Sequence, residues 1–203
     1  MQAAFDELAR LGAGIQLTPG NIPTRAFREH VVASRVTTRR HHGFTFDARK
    51  TETWIDGACA VDSESVHPPL AGAAWRPWLE RAPAPPIVEV MYPGYELGTG
   101  DEVEAAMTDG ITLAVDVSHV YLQRMAGVMT DATWRRLADY DRIAEVHVSA
   151  NQGRADTHRP LTRETFGLDW IRERVANGDD VILECYMHKL DDEQRQHQME
   201  LLR

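Results

Sequence analysis

Two rhythms alternate along this chain: short apolar runs of Val, Ile, Leu and Ala, and longer stretches with helical spacing between them. The clearest short runs are IVEVM (87–91), ITLAVD (111–116), RIAEVHV (142–148) and VILEC (181–185). Runs of this length, bounded by turn residues and separated by helical stretches, predict buried parallel strands in βα units. Earlier in the chain the pattern predicts a helix over 3–11, stopped by Gly12 and Gly14, and a strand over 14–19. A helix over 24–33 follows, with Pro23 at its start after Asn21. Strand 35–38 runs on into Arg39, Arg40, His41 and His42. The stretch 44–63 has a mixed pattern and predicts no regular element. Residues 65–67 read as a short strand stopped by two prolines, 75–81 as a helix, and APAPP (82–86) as a stiff connector. The later strands are separated by the loop YPGYELGTG and a helix over 101–107, for which Thr99 or Asp101 is the cap. Val120–Met125 leads to a helix over 131–138. A polar loop (149–160), a helix over 162–176, a turn at 177–179 and a closing helix over 191–202 complete the pattern.

Seven strands result, with no clear eighth after Tyr186. Alternating β and α units with right-handed crossovers predict an α/β fold of the TIM type. An eight-unit barrel typically takes about 250 residues. A chain of 203 residues therefore predicts a trimmed or incomplete (β/α) barrel forming a single domain, residues 1–203. The competing fold is an open doubly wound sheet.

The net charge of −9 disfavours a partner with a nucleic-acid backbone. No apolar run approaches the roughly 20 residues a membrane helix needs. The N-terminus has no basic-then-apolar signal pattern, so a cytoplasmic location is expected. The two cysteines, Cys59 and Cys185, form no CxxC pair, which fits a reducing compartment.

Histidine is the more informative count, because six of the nine fall at or near predicted strand ends. The apolar runs also close on charge: Glu89, then Asp116 with His119, then Glu145 or His147, then Glu184. A charge closing a buried strand is costly unless it is paired or bound to metal. Four successive strands ending this way predict one site at the carboxyl end of a barrel. Asp156 and His158, in the loop after the third of these runs, add a DxH pair, and His67 with one of His41 and His42 completes the inventory. Carboxylate oxygen and imidazole nitrogen together suit Zn, Mn or Fe. Nine such ligands exceed what one ion takes, so two or three divalent ions are implied if all are used. Arg154 and Arg159 flank the DxH pair and are candidates for an anionic substrate group. Glu145 shares a strand side with His147 and is a candidate to orient it or act as a base. Cys185 is expected on the opposite face from Glu184.

The order Glu89, Asp116-x-x-His119, His147, Asp156-x-His158 and Glu184, preceded by histidines on two earlier strands, resembles endonuclease IV among the xylose-isomerase-like TIM barrels. That resemblance implies a trinuclear zinc cluster held by His41 or His42, His67, Glu89, Asp116, His119, His147, Asp156, His158 and Glu184. The segments VEVMYPGYELGTGDEVEAAM, AVDVSHVYLQ and AEVHVSANQGRADTHRPL are also similar to the multi-iron TIM-barrel oxygenases of methanobactin-type peptide biosynthesis. The chain departs from that second pattern at His119, where Asn is usual, and at Val90. The resemblance covers about half the chain.

Two enzymatic readings follow. One is a multinuclear metalloenzyme, hydrolytic or oxidative, acting on a small molecule, a sugar phosphate or a modified peptide. The other is a mononuclear Mn or Mg sugar isomerase or epimerase, in which Glu89, Asp116, His147 and Glu184 hold the ion and Glu89 and Glu184 move the proton. A non-catalytic barrel with a remnant site is a third reading. An incomplete barrel with an exposed sheet edge would have a reason to form a homodimer.

Overall fold

A computed structural model of the chain describes residues 2–18, 22–42, 54–80 and 86–203. The chain falls into two compact units, residues 1–67 and 68–203. The expected end of the first strand at Pro19, Asn21, residues 44–53 of the unassigned stretch 44–63, Arg81 and the connector residues 82–85 lie outside the described residues.

The first unit contains helix α1 (Gln2–Arg10), strand β1 (Ile15–Leu17), helix α2 (Arg25–Ser34), and strands β2 (Thr37–His42) and β3 (Cys59–Val66). The strands run parallel in that order. Phe5, Leu17, Val31 and Ile55 form a buried core, with Phe5 meeting Phe27 edge-on at 5.4 Å. Helix α2 starts at Arg25, one residue after the predicted 24, because the Thr24 hydroxyl caps it by accepting from the Phe27 backbone N–H. Strand β3 begins at Cys59, well before the predicted start at Ser65. The sequence CAVDSESV has no clean two-residue apolar period, and its buried Ser65 faces a histidine of β2 rather than an apolar core.

The second unit contains α3 (Trp75–Glu80), β4 (Ile87–Val90), α4 (Gly100–Thr108), β5 (Leu113–Asp116), α5 (Val117–Met125) and α6 (Asp131–Ala138). It continues with β6 (Ile143–Val148), α7 (Leu168–Ala176), β7 (Val181–Leu183), a single 3₁₀ turn (Met187–Lys189) and α8 (Asp192–Leu201). Its four strands are parallel in chain order, and the register sets Asp116 beside His147. The described residues hold seven strands, and after β7 the chain turns into α8 rather than an eighth strand. Parallel strands in sequence order with intervening helices make this an α/β fold consistent with a trimmed TIM-type barrel.

Local chemistry sets the element ends that matter. Thr99, not Asp101, caps α4 through a capping box with Glu102. Asp116 ends β5 and at once caps α5, so no loop separates strand from helix. Helix α7 starts at Leu168, later than the predicted 162. Thr162 and Thr165 bond nearby backbone N–H groups instead, and Gly167 sits at φ 72°. On one side of β6, Val146 and Val148 pack with Leu161, Leu168, Ile171, Leu201 and Leu202. Strand alternation therefore turns Glu145 and His147 to the other side. No helix among the described residues is long and apolar enough to cross a membrane.

Ile171 is fully buried in this cluster. Ile171→Ala is expected to destabilise the protein by about 2–5 kcal/mol, read as a lower denaturant midpoint; a change within 0.5 kcal/mol would show that the cluster is not a load on folding.

Candidate metal centre

The polar ends of β4, β5, β6 and β7 converge on one cluster inside the second unit. Glu89 comes from β4, Asp116 from β5, Glu145 and His147 from β6, and Glu184 follows β7. Asp116 Oδ1 accepts from the backbone N–H groups of Ser118 and His119 at 2.7 and 3.3 Å, which places His119 in the first turn of α5. Asp156 and His158 come from the 149–160 loop. Ala150 and Arg159 exchange both backbone hydrogen bonds at 2.9 Å and close that loop. Asn151 anchors it by donating to the Ser118 carbonyl at 2.9 Å.

His119 is surrounded by three carboxylates and the Val90 carbonyl, which lies 3.0 Å from its Nδ1. Its Nδ1 lies 3.2 Å from Glu89 Oε1, and its Nε2 lies 3.2 Å from Asp116 Oδ2 and 3.4 Å from Asp156 Oδ2. His147 has a similar setting, with Nδ1 3.1 Å from Glu184 Oε1 and 3.6 Å from Glu89 Oε2. On the far side of its ring, Nε2 lies 3.1 Å from Glu145 Oε2. His158 Nε2 is 2.9 Å from Asp156 Oδ2, and its Nδ1 is 3.7 Å from Glu184 Oε2. His158 also holds a left-handed backbone, φ 44°, uncommon for a residue other than glycine.

Burial and mutual charge shift these groups in opposing directions. Burial pushes the Asp116 carboxyl up to about 7, against His119 and with Glu184 and Glu89. Burial alone would lower His119, but Asp116, Asp156 and Glu89 hold it well above its usual 6.5. Glu184, Glu89 and Glu145 do the same for His147 against its burial. Burial would raise Asp156, yet hydrogen bonds from His119 and His158 keep it well below the usual carboxylate range. The hydrogen bond to Asp156 raises His158. Without metal, then, the histidines are biased toward their charged form by the carboxylates around them, while Asp116 is biased toward its neutral one.

The same donors fit a metal ion. Donor atoms of Glu89, Asp116 and His119 all lie within 4.8 Å of one another. Asp116 Oδ2 is buried and makes no hydrogen bond, although it stands near His119. All donors are oxygen or nitrogen, the set that Zn, Mn and Fe accept. Cys185, beside Glu184, adds no thiolate: burial pushes its thiol up to about 12.

The other predicted residues fall as follows. His41 and His67 meet within the first unit, their Nε2 atoms 3.3 Å apart, while Ser65 Oγ lies 2.9 Å from His41 Nδ1. His42, its neighbour on β2, instead lies 3.1 Å from Glu64 and edge-on to Trp54. Of the two, His41 is the one that the fold pairs with His67. Arg154 and Arg159 are exposed on the 149–160 loop and make no ion pair among the described residues.

Three contributors carried no signal in the periodicity. Tyr92, directly after β4, sets its ring edge-on to His119 with centroids 4.9 Å apart. Gln123, one helical turn beyond His119, donates to the carbonyls of Met91 and Leu97 and ties down the loop that carries Tyr92. Gly98 lets that loop close, since a Cβ there would lie 2.5 and 2.6 Å from the Tyr92 and Tyr95 carbonyl oxygens. Its i+4 spacing from His119 is the one feature that marks Gln123 in the sequence.

The fold and this cluster together define a TIM-type α/β chain with buried His, Glu and Asp groups able to hold metal. No protein-family model, curated protein or solved structure matches the chain.

The ionisation pattern predicts how metal-free protein responds to pH. His119, His147 and His158 are raised in the folded state, so their contribution is present below pH 6.5 and is lost as pH climbs through their folded values. Asp116 acts in the same direction: the fold keeps its proton up to about pH 7, and an unfolded chain gives it up near 3.8. Chelator-treated protein is therefore expected to lose stability from pH 6 to 9, and the stabilisation by added zinc to grow over the same range. Denaturation midpoints with and without zinc measure both; a metal-free midpoint that rises over this range would contradict the assignment.

Proposed function

We propose that the chain is a multinuclear metalloenzyme of the xylose-isomerase-like kind, acting on a small molecule such as a sugar phosphate or a modified peptide. One observation carries the reading: two carboxylates each face two imidazoles. Glu89 turns Oε1 to His119 and Oε2 to His147. Asp156 Oδ2 stands between His119 and His158. Carboxylates placed between nitrogen donors are what two neighbouring cation positions require, and a single-ion site has no use for Asp156 and His158.

Bound divalent metal would lower the pKa of a coordinated water toward neutrality and stabilise developing negative charge, which suits phosphoester hydrolysis. The protein groups have separable tasks. Glu89 and Asp156 would each share a cation with two of the histidines, Asp116 would offer the oxygen not used in capping α5, and His147 and Glu184 would complete the inner part. His158 is half-buried at the edge of the cluster, and Arg154 and Arg159 on its loop supply positive charge for an anionic substrate. Iron in the same donors would direct the chemistry to oxidation instead.

The isomerase reading has its own support, since Glu184 Oε1 and Glu89 Oε2 flank the same His147 nitrogen. Metal content separates the two. Protein purified without chelator or added metal is expected to carry two or three ions of zinc or iron per chain. A single Mn or Mg would favour the quartet of Glu89, Asp116, His147 and Glu184, and no uptake on titration would overturn both readings.

His158→Ala is expected to lose one ion and keep the fold, measured by metal analysis and circular dichroism; unchanged metal content would remove the DxH pair from the ligand set. Glu184→Gln is expected to abolish metal-dependent turnover, assayed first with bis(p-nitrophenyl) phosphate. Full activity in that variant would end every enzymatic reading built on this cluster.

A further inference from the structure

We propose that Glu145 is the positioning residue for His147: it accepts a hydrogen bond from Nε2–H and so presents Nδ1 as the donor to a cation lying toward Glu89 and Glu184. The proposal rests on the metal-centre reading and deepens it.

Glu145 and His147 are two residues apart on β6 and share the face opposite Val146 and Val148. Both are almost completely buried. Glu145 Oε2 and His147 Nε2 form a hydrogen bond of 3.1 Å. Across the same ring, Nδ1 has Glu184 Oε1 at 3.1 Å and Glu89 Oε2 at 3.6 Å. A neutral imidazole has one N–H and one lone pair. If the lone pair were on Nε2, it would point at the Glu145 carboxylate, two electron-rich groups in contact inside a buried site. With the proton on Nε2, that contact is a charge-assisted hydrogen bond, and the lone pair on Nδ1 is directed to the two carboxylates where a cation would sit. With a cation set between Nδ1 and the Glu89 and Glu184 carboxylates, Glu145 is the carboxylate left to hold the ring proton, and it selects the tautomer by charge.

Its depth argues against the base role open to it from sequence. Two residues along a strand is about 6.6 Å, so Glu145 lies that much further from the carboxyl end than His147, away from the edge where Asp156 and His158 enter. A proton taken there would have to pass the ligand itself. A carboxylate that orients a ligating histidine typically changes metal affinity by about tenfold to a hundredfold.

The experiment uses the full chain, stripped of metal and titrated with zinc against a competing chelator, in wild type, Glu145→Gln and Glu145→Ala. Both variants are expected to keep the wild-type number of ions. Affinity is expected to fall about tenfold to a hundredfold for Glu145→Ala and less for Glu145→Gln, which retains an acceptor. Nitrogen-15 histidine spectra of the zinc-loaded wild type are expected to show His147 protonated on Nε2 and metal-bound through Nδ1. Should Glu145→Ala fail to fold, Glu145→Gln and the spectrum still decide the matter. The proposal is overturned by the opposite tautomer, by affinity unchanged in Glu145→Gln and whichever other variant folds, or by loss of an ion in Glu145→Gln, which would make Glu145 a ligand. Failure of the underlying reading looks different: wild type itself then binds no zinc, and the proposal falls with it.

Discussion

A buried charge must be neutralised where it lies, and the second unit is built around meeting that condition several times in a small volume. Glu89, Asp116 and Glu145 are almost wholly enclosed, and Asp156 and Glu184 are largely so, around His119, His147 and His158. Isolated, each ionised carboxylate would be far too costly to hold in an apolar interior. Together with imidazoles they are tolerable, and the arrangement stays equally suited to exchanging protons for metal. Much else serves this cluster. The direct passage from β5 into α5 brings His119 back over Asp116, Gln123 ties down the loop carrying Tyr92, and Asn151 pins the loop carrying Asp156 and His158.

The apolar half of the design was legible in the sequence. Strands β4 to β7 are runs of Val, Ile, Leu and Ala, and a carboxylate or histidine closing such a run stands out because nothing apolar explains it. The polar half was less so. Strand β3 hides among Asp, Ser and Glu because its partner across the sheet is a histidine strand, and packing of polar groups leaves no hydrophobic period. The start of α7 was misplaced for a local reason: threonine hydroxyls at 162 and 165 hold the segment in turns, and Gly167 at φ 72° sets the helix start after it. Tyr92 and Gln123 matter only through contacts across the chain, which spacing does not encode. The choice between His41 and His42 likewise needed the strand's two faces to be told apart, one toward Ser65 and His67 and the other toward Glu64.

Capping and coordination compete for the same atoms at Asp116. One carboxylate oxygen is committed to two backbone N–H groups of α5, so only the other is available to an ion. The first turn of the helix thereby fixes the direction from which that oxygen can act, and His119 moves with it. Side-chain entropy that a free Asp would lose on binding has already been lost on folding.

The backbone pairing of Ala150 with Arg159 has a consequence for how such a site can change over evolutionary time. The pairing makes the intervening segment an excursion whose two ends stand side by side. Asp156 and His158 therefore enter the cluster as a cassette, hung from the end of β6 without altering the strand itself. A shorter or different excursion between the same two anchor points would leave the strand-borne residues in register and remove two donors in one step. Those two donors belong to the loop, and the others in the cluster to the strands and to α5.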